Sequence, residues 1–545
     1  LGFERSTGGA TSSGKAIAYL ATMVLIGALG AVDAVAAAEA APATAAPKAD
    51  QKADQQFDIL EYRVLGNTLL SQRAIEAAVY PFLGERKSLE AVQEAQKALT
   101  AAYRNAGFGT VVVDIPEQSV DEGVVRLQVT EGRLQRVHIS GARYYSERRI
   151  LSELPALKPG ATPSLPQLQT ELGQLATEAP DRQITPVLKA GTEPGTVGMD
   201  LVVKDRPPWH ASLQLDDRYT ADTARDRLTG IVSYNNMFQR NETLSLQYET
   251  APSAPSEVRL WALTYLGRTS DPSWNWAAYG IRSNSDVAAV GTLSVIGNGK
   301  IGGARLVRTL PTVGNWSSNL TLGGDYKDFQ QAVSLESGNT LTPVHYFIWS
   351  AQYAGAWHGP RVDASATLAM NFGVRGVATS DAAFDVSRSA AQTNFQYFRG
   401  GDSFRFRLWK DAGIALRVGY QYSQLPLLNN EQFSIGGIDS VRGYLESEAL
   451  EDSGATGSLE LQAPPLIFWN GRVVLFGFYD AGTGSIQQAL TEQQDHVQVR
   501  GVGLGIRVTG FGGLDGLFDW ADPLRDGPRT RAGEKRVDFS VKYGL

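Results

Sequence analysis

The chain has 545 residues, a formal net charge of −7 and no cysteine. The length leaves room for several domains, the missing thiols exclude disulfides and thiolate metal sites, and a net acidic chain without a basic cluster is unsuited to nucleic acid. The five histidines, His138, His210, His345, His358 and His496, are scattered without ligand-like spacing and read as structural or solvated, so no metal or cofactor site is expected.

Ala16 to Val32 form an apolar run, preceded by Arg5 and Lys15 and followed by Ala34-Val35-Ala36. This is the layout of a secretory signal peptide occupying residues 1–36. A membrane anchor competes with it, but the run falls a little short of the roughly twenty residues a helical span needs, and no stop-transfer charges follow. Residues 37–56, rich in Ala, Pro, Lys, Asp and Gln, cannot bury a core and read as a linker. Pro42 and Pro47 oppose a long helix there.

Residues 57–134 read as a small α+β module. Phe57 to Val64 is expected as a strand and Gln72 to Val79 as a short helix capped by Ser71. Thr110 to Ile115 and Gly123 to Val129 follow as strands. Between them Leu89, Val92, Leu99, Tyr103 and Ala106 recur at three- and four-residue steps and predict a helix that Gly107 ends. The same order repeats over residues 135–208. Val137 to Ile139 opens it, Ser146 caps a helix to Leu154, and Ser164 with Gln167 predicts a capping box for the next helix. Strands are expected near Ile184 to Leu188 and Met199 to Val203.

From Trp209 to Leu545 no helix-period segment stands out, and strand-like runs recur at roughly twenty-residue intervals between Gly, Asn, Asp and Ser. About sixteen strands are expected, an even number that suits a closed transmembrane barrel. The last strand alternates cleanly: Val537, Phe539, Val541, Tyr543 and Leu545 are expected to face lipid, and Arg536, Asp538, Ser540 and Lys542 the lumen.

One long loop, residues 424–455, interrupts this pattern. Loops of such length inside strand-dense regions are usually functional or disordered. This one carries Phe433, Ile435, Ile438, Val441 and Tyr444, and apolar side chains of that number need cover. It is expected to fold back into the lumen, held by Arg442 on a carboxylate of a facing strand. The candidate is Asp480, which shares a face with Phe476 and Phe478 in Val473 to Gly482. The residues alone leave open the alternative of a solvated loop arginine and an ordinary strand-end aspartate.

Val441-Arg442-Gly443-Tyr444 resembles the sixth-loop signature of the outer-membrane assembly and secretion barrels, and Phe478, Asp480 and Gly482 match that superfamily's Phe-x-Asp-x-Gly strand motif. Residues 57–134 and 135–208 resemble POTRA domains, the first including Val64-Leu65-Gly66-Asn67 and Pro116-Glu117-Gln118. The resemblance implies two small α+β POTRA modules in the periplasm, followed by an all-β transmembrane barrel in the bacterial outer membrane at residues 209–545. It is closest to the transporter component of two-partner secretion. That implies export of one large partner, a β-helical adhesin or haemolysin type of protein, without nucleotide hydrolysis. It further implies contact with outer-membrane lipid and insertion by the barrel assembly machinery. An outer-membrane assembly factor of the same superfamily and a passive porin are the alternatives.

Gly297-Asn298-Gly299-Lys300-Ile301-Gly302 fits a dinucleotide fingerprint by letter, but Gly303 to Pro311 after it reads as a strand ending in a turn, where the fingerprint needs a helix. No nucleophile or zinc motif occurs, so no catalytic residue is expected.

Overall fold

The computed structural model describes residues 56–120, 122–290, 293–335, 338–491 and 493–545, so the signal-peptide and linker readings lie outside the described residues. The chain divides into two compact units between Gly132 and Arg133.

In the first unit the helix Leu89–Asn105 lays Val92, Ala95, Leu99 and Tyr103 against a sheet and ends before Gly107, whose φ of 93° a β-carbon would oppose. Leu89, expected on that face, is 56% exposed. At about 100° per residue it stands roughly 75° from the centre of the buried stripe. The sheet places Val124–Glu131 at its centre, parallel to Glu61–Leu65 and antiparallel to Val111–Asp114. Ser71 caps the helix Gln72–Val79, its hydroxyl accepting from the Ala74 N–H. The single strand expected over Phe57 to Val64 breaks at Leu60. Its first part, Phe57–Ile59, pairs with Gly84–Lys87, a strand whose Glu-Arg-Lys composition gave no signal.

The second unit opens with a module of similar order. Thr196–Asp205 lies between Arg133–Ser140 and Arg182–Ala190, with the helices Glu147–Ser152 and Leu165–Glu178 closing a core around Ile150, Leu168, Leu175, Met199, Leu201 and Val203. The expected capping box does not form. The Ser164 hydroxyl makes no bond to the helix N–H groups, and the Gln167 side chain, which would reach back to the Ser164 N–H, donates forward to Glu171 instead. This module is fixed to the barrel mouth. Buried Asp181 pairs with His210 of the first barrel strand at 2.7 Å, Glu178 pairs with Arg268 at 2.9 Å, and Gln239 in a barrel turn accepts from the Ser146 N–H.

Sixteen strands close the barrel. The sheet contains seventeen segments, but Leu466–Phe468 only continues Ser453–Gln462 after the interruption at Pro464-Pro465, and both pair with Gly471–Ser485. Every pairing is antiparallel, and the last strand, Arg536–Gly544, closes on the first, Trp209–Asp216, over five residue pairs from Ser540–Asp216 to Gly544–Ser212. Leu213, Leu246, Trp261, Leu263, Trp349, Leu504 and Trp520 project outward, while polar residues alternate into the lumen.

One helix was not legible in this half: Asp381–Ser387, in the connection after Val362–Gly373, where the Ser380 hydroxyl accepts from the Ala383 N–H. Seven residues are too few to display a period.

Candidate functional site in the barrel lumen

The long connection leaves the wall after Ser423 and rejoins it at Ser453. It enters the lumen with a short internal hairpin, Phe433–Ile435 against Ala449–Glu451. Ile435, Val441 and Tyr444 are wholly buried and pack with Val497 and Val499 of the wall.

Arg442 is 2% exposed and Asp480 is fully buried. The guanidinium holds the carboxylate at two points, Nε to Oδ2 at 2.7 Å and Nη2 to Oδ1 at 2.9 Å, and the Arg442 backbone N–H donates to Oδ2 at 3.1 Å. Nη2 also donates to the Ser458 hydroxyl at 3.1 Å. Glu460 Oε2 lies 3.5 Å and Asp519 Oδ2 3.8 Å from Nη1. Phe478 stacks beneath, its ring centre 3.4 Å from Cζ, as a cation–π contact in a water-poor site. The bidentate geometry is available to arginine and not to lysine.

The other motif residues serve close approach. A β-carbon on Gly482 would stand 2.8 Å from Ile435 and 2.9 Å from Val441, and one on Gly501 would stand 2.1 Å from the Arg442 carbonyl oxygen. Gly443 has a φ of 92° and turns the chain so that the Tyr444 hydroxyl reaches the Arg525 and Arg500 carbonyls at 2.6 and 2.9 Å. Val441, Arg442, Gly443 and Tyr444 thus meet Phe478, Asp480 and Gly482 in one cluster. The last-strand residues lie apart from it, on the outer surface. Val537 is 60% exposed, Phe539 and Val541 partly so and Tyr543 half-exposed. Leu545 follows the strand end at Gly544.

Sequence reasoning missed further groups that hold the loop. Glu448 accepts from the Arg529 and Thr530 N–H groups and the Thr530 hydroxyl. Asp452 accepts from the Leu427 and Gln487 N–H groups, Gln432 and Arg388. These are single acidic residues whose partners lie far along the chain, so no local spacing announces them.

A closed antiparallel barrel with an apolar outer face, small α+β modules ahead of it and a loop clasped inside defines a POTRA-bearing outer-membrane barrel. The profile of the haemolysin secretion/activation proteins ShlB/FhaC/HecB matches residues 195–508 and that of the ShlB-type POTRA domain residues 57–132, and the chain belongs to this family. Family members are outer-membrane transporters that secrete partner exoproteins, with the N-terminal module in the periplasm.

Among similar proteins, the outer membrane transporter CdiB of Dickeya dadantii (strain 3937) is 23% identical over 445 residues, covering 78% of this chain and 76% of that one. The heme/hemopexin transporter protein HuxB of Haemophilus influenzae (strain 86-028NP) is 20% identical over 497 residues, covering 87% and 85%. Among solved structures, CdiB from Escherichia coli gives a TM-score of 0.61 at 18% identity, covering 93% of this chain and 94% of that one. BamA from Haemophilus ducreyi lacking POTRA domains 1–3 gives 0.57 at 14%, covering 90% and 100%. At these identities the two structures speak for the fold alone.

Proposed function

We propose that this chain captures one large secreted partner in the periplasm and passes it, unfolded, through its own barrel without nucleotide hydrolysis. The observation that carries this reading is that the lumen is filled by a connecting loop, tethered at both ends to wall strands and held by side-chain contacts. Such a plug can be displaced while every wall pairing remains.

Residues 133–205 are read as a second POTRA module. In it the edge strand Arg182–Ala190 pairs on one side with Thr196–Asp205 and leaves Val187 and Leu188 exposed. An extended client strand adds to such an edge through backbone hydrogen bonds, with little demand on its sequence. The partner is of the β-helical adhesin or haemolysin type, and its folding outside gives the movement direction. Val441, Arg442, Gly443 and Tyr444 form the gate, and Asp480 with Phe478 and Gly482 its seat. Lipid covers the outer face, and the barrel assembly machinery inserts the protein.

Comparative proteomics of supernatant, cell surface and outer membrane, with and without the gene, tests this. Loss of one large surface or secreted protein with other barrels intact is expected. Broad depletion of outer-membrane barrels would make the chain an assembly factor, and altered solute uptake without loss of any exported protein would make it a passive channel.

A further inference from the structure

The loop has a second buried anchor on a different arc of the wall. Glu431, in the short turn Asn429–Glu431 at its start, is 1% exposed. Its carboxylate forms an ion pair with Lys327 and accepts from the Tyr346 hydroxyl at 2.6 Å and the Tyr397 hydroxyl at 2.7 Å. These groups come from Trp316–Leu335, Gly338–His358 and Gln396–Arg407, the seventh, eighth and tenth barrel strands. The backbone is held as well: Arg399 donates to the Glu431 and Gln432 carbonyls at 3.0 and 3.1 Å. Glu460, Asp480 and Asp519, around Arg442, stand on the twelfth, thirteenth and fifteenth strands. No residue belongs to both sets.

We propose that Glu431 is a separately releasable anchor beside Arg442, and that, of the contacts that hold the loop, these two buried clasps on different arcs of the wall must both let go before it leaves the lumen. Breaking the Arg442 clasp loosens the tip while the stem stays fixed to the seventh, eighth and tenth strands; breaking the Glu431 clasp loosens the stem while the tip stays on Asp480. Each anchor multiplies the closed population, because a buried carboxylate that loses its donors gives up interactions the aqueous state does not supply in the same geometry. The inference rests on the reading that the loop closes the path, and deepens it by naming what else holds it shut.

The test is the conductance of the purified full-length chain in planar bilayers, with no partner added, for wild type, Glu431→Gln, Arg442→Ala and the double variant. Glu431→Gln is expected to raise the open-to-closed ratio about tenfold to a hundredfold, the effect of losing hydrogen bonds to a buried charge. The double variant is expected to exceed both singles, near the product of their effects. A Glu431→Gln record equal to wild type, with the double variant equal to Arg442→Ala, overturns the proposal. Tyr397→Phe removes one donor from the wall and leaves the loop sequence intact. Its smaller rise supports the anchor if Glu431→Gln fails to fold, and its silence overturns it. Because no client is present, a conductance effect without loss of any exported protein in the proteomic comparison keeps the anchor and rejects the transport reading.

Discussion

A guanidinium taken out of water repays its lost hydration only when nearly all its donors are used, and Arg442 comes close to that. Nε and Nη2 meet Asp480 and Ser458, Nη1 faces Glu460, and the ring of Phe478 covers one face. Arg442→Ala and Asp480→Ala are each expected to cost about 3–5 kcal/mol, with strongly non-additive effects in the double variant, because each single change strands a buried charge. Arg442→Lys recovers only part, since an ammonium cannot span both carboxylate oxygens. Urea unfolding midpoints of the refolded barrel measure this, and additive effects would mean the pair is solvated. The Arg442–Asp480 meeting was legible because strand alternation put Asp480 beside two aromatic residues on one face and a motif marked the arginine. Glu431 lies in the same loop and was not legible. Its partners Lys327, Tyr346 and Tyr397 are 104, 85 and 34 residues away, on strands whose alternation says only that they face inward.

At the scale of the element, the loop is a folded piece whose hairpin buries Glu451, 1% exposed, and does not cross the membrane as a barrel strand does. Burial pushes its carboxyl up to about 7. Neighbouring Asp452 adds to the rise, Arg388 opposes it and Asp495 adds a little. A carboxyl raised in the docked loop above its ordinary value of 4.5 favours docking fully at pH below that value. The advantage is lost as pH rises toward 7. Channel opening is therefore expected to become more frequent between pH 4.5 and 7 and then level off, and Glu451→Gln to make that profile shallower, the rest of the slope coming from Glu446 of the same loop, which burial also pushes up to about 7. Bilayer recordings across that range decide it; a wild-type profile as flat as the variant's would show that Glu451 does not bear on docking. The helix Asp381–Ser387 shows the limit of periodicity in such segments. It is set by one cap at Ser380 and by Phe384 entering a buried cluster with Tyr346 and Phe395, neither of which a seven-residue pattern displays.

For the whole molecule, the strand count and the alternation of the last strand were readable because the outer face of a barrel must be apolar along its full height. The division between Gly132 and Arg133 was only approximately readable, since the second module shares a compact unit with the barrel through Asp181, His210, Glu178 and Arg268. Removing residues 57–132 is therefore expected to leave a barrel that inserts and migrates as a folded species, whereas removing 133–205 strips the mouth of those pairs. Heat-modifiable gel mobility separates the two, and loss of the folded species in the first deletion would reject the division. The two anchored regions of the loop also have a mechanical meaning. A segment fixed to the seventh, eighth and tenth strands at one point and to the twelfth, thirteenth and fifteenth at another is a tie-rod across a hoop. It resists flattening of the ring as well as occupying it; on the transport reading proposed above, withdrawing the loop would clear the bore and, in the same act, let the hoop go oval to the shape of what passes.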